Sequence, residues 1–102
     1  MIANAGQPQA TSPMASRRVH IQNKLGLHAR ASARLVSTAS RFGSEITLAK
    51  DEVEVNAKSI MGIMMLAAGK GSDLILGAEG HDAEDALDAI EQLINDRFGE
   101  EG

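Results

Sequence analysis

Residues 82–98 constrain the fold most. Ala86, Leu87, Ile90, Leu93, Ile94 and Phe98 recur at three- and four-residue spacing, with Asp85, Asp88, Glu91 and Asp96 between them. One apolar stripe on an otherwise charged helix must lie on an apolar layer built elsewhere in the chain. His81 or Asp82 stands where its cap belongs. That layer comes from runs of period two. Val19 and Ile21 alternate with His20 and Gln22, Ile46 and Leu48 with Thr47 and Ala49, and Val53 and Val55 flank Glu54. Leu74, Leu76 and Ala78 make a fourth run, ended by Gly80. Each predicts a half-buried strand. The second and third form a hairpin across Lys50-Asp51-Glu52. A further helix is predicted from Ala29 to Arg41. Its buried stripe is Leu35, Val36, Ala39 and Phe42, its exposed faces carry Arg34, Ser37 and Arg41, and its stop is Gly43. Ser59 to Leu66 is a short apolar helix with Ser59 as N-cap, broken by Gly69-Lys70-Gly71. The order βαββαβα, with the helices on one face, predicts a two-layer α/β sandwich.

At 102 residues the chain makes one such domain, with no room for separate catalytic and substrate domains. Cysteine is absent, which excludes disulfide scaffolds, Cys-ligated zinc, iron–sulfur clusters and thiol catalysis. Trp and Tyr are absent and Phe occurs twice, too few aromatics for a single-strand nucleic-acid platform. No apolar run of about 18 residues predicts a membrane span. The N-terminus lacks a basic-then-apolar signal pattern, so the expected location is the cytoplasm. Residues 1–16 hold both prolines and no charge, and read as a disordered tail before a domain over 17–102. Met1 and Met14 are both open as the biological start.

The net charge of −4 conceals a split: residues 1–44 carry +6 and residues 45–102 carry −10. A basic patch on an acidic protein does not match a nucleic-acid footprint. It fits docking onto acidic partners or a site that handles phosphate. Of the three histidines, His20 reads as an outward strand residue and His81 as a helix cap, and no spacing predicts a metal site. His28 follows a Gly-containing loop and opens a helix, where unpaired backbone N–H groups and the helix dipole favour phosphate. An imidazole there is disfavoured as a cation, so a neutral ring nitrogen is free to act as nucleophile. Arg30 can reach back as a forked phosphate clamp. A capping histidine beside a surface arginine fits the same residues. Gly69-Lys70-Gly71-Ser72 fails the P-loop spacing and reads as a turn. Ile60, Met61, Ile63, Met64 and Met65 exceed what one side of so short a helix can bury, leaving core and exposed partner surface both open.

Lys24-Leu25-Gly26-Leu27-His28-Ala29-Arg30 resembles the active-site signature of the HPr family, the histidine-containing phosphocarriers of the bacterial phosphotransferase system. Lys58-Ser59-Ile60-Met61-Gly62-Ile63-Met64 resembles that family's regulatory-serine motif. His28 and Ser59 lie 31 residues apart, as in the family, and the likeness covers about residues 17–98. It implies an α+β two-layer, open-faced β-sandwich: a four-stranded antiparallel sheet with three helices on one face. It implies that His28 accepts a phosphoryl group on Nδ1 from phosphorylated enzyme I and passes it to IIA-type proteins. Arg30 and the helix-start amides would stabilise it. Ser59 would be the serine modified by the ATP-dependent HPr kinase/phosphorylase. No cofactor is implied, and the chain is a substrate of other enzymes rather than an enzyme.

One position departs from the pattern. The family usually reads His-x-Arg-Pro, and here the fourth residue is Ala31. Alanine is an excellent helix former, so the helix should survive the loss of a pre-set φ. His-Ala-Arg-Ala-Ser is similar to versions from proteobacteria with incomplete, regulatory phosphotransferase systems, which points to regulation rather than sugar transport. Arg34, Ile60, Met61 and Met64 are the expected docking surface, on a protein expected to be monomeric. The rival reading is an HPr-like regulatory module that acts through Ser59 and docking, without a phosphoryl relay.

Overall fold

The structure is a computed structural model and describes residues 14–100. Four strands and three helices follow in the predicted order: β1 (Met14–His20), α1 (Ala29–Ala39), β2 (Glu45–Lys50), β3 (Val53–Asn56), α2 (Ile60–Met65), β4 (Asp73–Glu79) and α3 (Ala83–Asn95). A 3-10 turn, Arg97–Gly99, closes the described chain. The strands form one antiparallel sheet in the order β1-β4-β2-β3. Period two puts Val19, Ile46, Leu48, Leu74, Leu76 and Ala78 on the face under the helices, all buried. From above, α1 supplies Ala31, Leu35 and Ala39, α2 supplies Ile63, and α3 supplies Ala83, Ala86, Leu87, Ile90 and Ile94. The other face is open: Ile75 stays 43% exposed. The fold is the open-faced sandwich that the resemblance implied.

The differences from the periodic reading have local causes. β1 begins at Met14, which pairs with Glu79, so Met14–Ser16 belong to the sheet and not to the tail. Residues 1–13, the rest of that tail, lie outside the described residues. β3 lies at a sheet edge, so Val53 is exposed and Val55 half-buried. α1 ends at Ala39 with Ser40 as its cap, earlier than Arg41, and Val36 and Phe42 are only partly covered. α3 ends at Asn95. Arg97 and Phe98 adopt φ of 56° and 54°, and two consecutive left-handed residues cannot continue a right-handed helix. The chain turns back on itself there and still buries the Phe98 ring.

Charges tie the layers at their rims. Arg17 points from β1 beneath α3 and pairs with Glu84, Asp88 and Glu91 at 2.8, 2.6 and 2.8 Å. Asp82 holds the N-cap position of α3 without capping it. Its carboxylate reaches the α1–β2 connection, accepting from the Ser44 hydroxyl and from the backbone N–H of Gly43 and Ser44 at 2.9 and 3.0 Å. The Ser44 hydroxyl, then the Gly43 amide, lower its carboxyl from the ordinary 3.8 to about 2. The unfolded chain therefore binds this proton more tightly, and the stability that Asp82 confers is complete above pH 3.8 and disappears as pH falls through about 2. Thermal melts across that window are expected to show a falling midpoint, and Asp82→Asn should flatten the fall. An unchanged slope in the variant would exclude Asp82 as the titrating group.

Candidate phosphoryl site

The loop before α1 is built to deliver His28. The buried Asn23 closes it: its Nδ2 donates to the Gly26 carbonyl at 2.8 Å, and the Gly26 amide donates to the Asn23 carbonyl at 3.2 Å. Gly26 sits at φ +67° against the α2–β4 connection, where a Cβ would lie 2.5 Å from the Ala68 carbonyl oxygen. No side chain fits there, which is why glycine occupies this turn. The Leu27 amide then donates to the same Ala68 carbonyl at 2.8 Å, and the Leu27 side chain enters the core. The next residue, His28, takes the extended N-cap conformation of α1.

Its two ring nitrogens have different partners. Nδ1 accepts from the Arg30 backbone N–H at 3.2 Å. An amide only donates, so Nδ1 presents its lone pair to the helix start, and in the neutral ring the proton is on Nε2. Nε2 faces the Glu100 carboxylate at 2.6 Å. Glu100 Oε1 also accepts from Asn23 Nδ2 at 3.0 Å. Burial by itself would raise the Glu100 carboxyl. The Asn23 and His28 hydrogen bonds, with the charges of His28 and Arg34, outweigh burial and leave it below the ordinary range. The capping reading and the phosphate reading of His28 are thus compatible, because a ring nitrogen, Nδ1, meets the helix start with its lone pair.

A depression of about 550 Å³ opens over this pair, lined by Lys24, Leu25, His28, Arg30 and Glu100. Lys24 and Arg30 are exposed cations on its wall. Ala31, at the position of the usual proline, is fully buried in an unbroken α1. Arg34, expected at a docking surface, is exposed, and it donates to the Phe98 carbonyl, which ties α1 to the C-terminal turn.

Ser59 caps α2, with its Oγ accepting from the Gly62 amide at 3.0 Å. The preceding Lys58 donates from Nζ to the Phe42 carbonyl at 2.8 Å. Within α2 only Ile63 is buried, while Ile60, Met61, Met64 and Met65 are 41%, 78%, 44% and 73% exposed. Most of the apolar cluster that the sequence left open is therefore surface, and Met65 extends the patch beyond the three predicted residues.

The sequence model described as "PTS HPr component phosphorylation site" matches residues 15–96. The chain belongs to the HPr family. The phosphocarrier protein HPr of Cupriavidus necator is 52% identical over 87 residues, 85% of this chain and 98% of the relative. Among solved structures, HPr-C-His of Thermoanaerobacter tengcongensis superposes with a TM-score of 0.84 at 50% identity, covering 86% of this chain and 99% of that one. An HPr dimer from the same organism gives a TM-score of 0.69 at 52% identity, covering 80% of this chain and 94% of that one. As an HPr, the protein is a phosphocarrier of the phosphotransferase system, a carrier by family rather than a catalyst. No helix among the described residues is long and apolar enough to cross a membrane.

Proposed function

We propose that His28 is the phosphoryl acceptor of this carrier, taking the group on Nδ1 from phosphorylated enzyme I and passing it to a histidine of a IIA-type protein. The observation that carries this reading is the Nδ1 lone pair directed at the first turn of α1, where backbone N–H groups and the helix dipole favour a phosphoryl dianion. The exposed Arg30 beside it supplies a mobile cation that can fold over the group. Incubation with phosphoenolpyruvate and enzyme I, followed by intact mass, tests it. One phosphoryl group per chain, lost in acid as a phosphoramidate should be, is expected. No mass gain, or an acid-stable adduct, would overturn the reading.

Arg30 acts on the transferred group and not on the fold. Arg30→Ala is expected to slow transfer roughly 10- to 100-fold, the worth of one charge-assisted hydrogen bond. Stability should change by no more than about 0.5 kcal/mol, since the residue is exposed. Unchanged transfer rates would remove Arg30 from the mechanism.

Ser59 is the regulatory site in this proposal, modified by HPr kinase/phosphorylase. Enzyme I docks on the exposed Ile60, Met61 and Met64 beside the basic side of His28. The output is regulatory, as the His-Ala-Arg-Ala-Ser version suggests, and the carrier works in the cytoplasm as a single chain. Ser59→Asp keeps a competent N-cap, so the fold should persist. A carboxylate beside the docking patch repels an acidic partner, and phosphorylation of His28 should slow roughly tenfold at low salt and recover at high salt. Equal rates at low salt would sink the electrostatic account.

A further inference from the structure

Three of the chain's five methionines stand in the six residues of α2: Met61, Met64 and Met65. Cysteine is absent from the chain, so these thioethers are among its most readily oxidised side chains. Met64 and Met65 follow Met61 at three and four residues, the spacing of neighbours on a helix surface. All three are exposed. The helix is held without them. Ser59 caps its start, Ile63 enters the core, and Lys50 Nζ donates to the Ala67 carbonyl at 3.3 Å just past its end. No residue of α2 is charged, so what the helix offers a partner is apolar. Of the exposed apolar side chains that make up the patch, only Ile60 is not a thioether.

We propose that Met61, Met64 and Met65 are a site of reversible oxidation: a peroxide converts their thioethers to sulfoxides, and α2 then loses its hold on enzyme I while the fold and His28 stay intact. The inference deepens the docking reading of α2 and rests on it. In the step, a sulfur lone pair attacks one oxygen of hydrogen peroxide. The S–O bond forms as the O–O bond breaks, and the departing hydroxide takes the hydrogen left on the transferred oxygen and becomes water. Sulfur gives up an electron pair and the peroxide is reduced. The reverse step needs a dithiol reductase, which removes the oxygen as water and is itself oxidised to a disulfide. A sulfoxide is polar and chiral where the thioether was apolar. In a core that change would break the packing, but these side chains are already at the surface, so the folded chain carries it at little cost. The cost falls on the complex, where the new S–O oxygen has to leave water without a partner arranged for it.

The full chain is treated with hydrogen peroxide, the excess is destroyed with catalase, and sulfoxides are located by peptide mass. Met61 and Met65 should oxidise about as fast as free methionine, and the less exposed Met64 more slowly. Resistance of all three while Met14 is oxidised would overturn the proposal. Phosphoryl transfer from untreated enzyme I should then slow roughly 10- to 100-fold, the effect of burying an unpaired polar group at the contact. Uptake from potassium phosphoramidate, which requires no docking, should not change. Methionine sulfoxide reductases of both epimer specificities should restore the rate. The triple variant Met61→Leu, Met64→Leu, Met65→Leu keeps apolar side chains without sulfur and is compared with itself: whatever its starting rate, peroxide should leave that rate alone. Met14→Leu, on the open face of the sheet, should lose as much on peroxide treatment as the wild type. An unchanged wild-type rate with sulfoxide at all three positions, or an equal loss in the triple variant, overturns the proposal. Slower uptake from phosphoramidate overturns it too, because oxidation would then be reaching the fold or His28. Untreated Met61→Glu separates this failure from that of the docking reading. If Met61→Glu slows transfer and oxidation does not, only the oxidation site is wrong; if neither does, docking on α2 is wrong with it.

Discussion

His28→Ala is expected to take up no phosphoryl group from phosphorylated enzyme I, a complete loss where the wild type gains one per chain. Two other histidines remain as controls within the same molecule. His20 pairs through Nδ1 with Asp73 at 2.7 Å on the exposed edge of the sheet, and His81 is exposed before α3. Neither caps a helix with a ring nitrogen that accepts from a backbone amide, as His28 does. Alanine also removes the cap of α1, which is expected to cost about 0.5–2 kcal/mol. A loss of transfer in that variant therefore has to be separated from a loosened helix. His28→Asn makes the separation. Asparagine is among the best N-caps, so α1 keeps its start, while its amide nitrogen is no phosphoryl acceptor. Both variants should be inert, and His28→Asn should melt close to the wild type. Uptake of phosphate by either variant, at any site, would refute the assignment of His28.

How much of this was legible in the sequence depends on distance along the chain. The four strands and the three helices followed from period because each buries one face, and that face is written in neighbouring residues. Their ends were less legible. Met14–Ser16 carry no strong alternation, and they become strand because Gly77, Ala78 and Glu79 of β4 offer backbone partners far away in sequence. The helical spacing of α3 runs on to Phe98, yet the helix stops at Asn95, because the ring enters the core from a left-handed turn that no periodicity encodes. The site divides in the same way. His28, Arg30 and the Gly26 turn are contiguous, and the chemistry of a loop entering a helix can be read there directly. Ser59 was legible as a cap for the same reason. Glu100 and Asn23 were not, because the contacts that matter are with each other and with a ring in a different element. The tie that Arg34 makes across the fold was not legible either, because the carbonyl it grips belongs to the C-terminal turn. Asp82 was placed correctly at the head of α3, but its partners lie in the α1–β2 connection.

Phe98→Ala is expected to be the most damaging single change to the fold, at about 3–5 kcal/mol. The ring is 1% exposed and heads the fully buried side chains by volume. A domain of this size has only about 5–15 kcal/mol of stability, so the loss is a large share of the total. The backbone raises the stakes. Arg97 and Phe98 both sit in the left-handed region, which costs non-glycine residues of order 1–3 kcal/mol each. Burial of the ring is what offsets that strain. Without it the turn has no reason to persist, and the segment after Asn95 should leave the body of the domain. Glu100 goes with it. Phe98→Ala should therefore lower the urea midpoint and, in the molecules that remain folded, also free His28 Nε2 from its carboxylate. Phe98→Leu, which keeps much of the apolar volume, should lose clearly less stability and retain the contact of His28 Nε2 with Glu100. Equilibrium urea unfolding of the three proteins, with ring ¹⁵N spectra under native conditions, checks both halves. A loss below about 1 kcal/mol for Phe98→Ala would show that the ring does not anchor the turn. An unchanged His28 Nε2 chemical shift in a destabilised Phe98→Ala would show that Glu100 reaches the imidazole without that anchor.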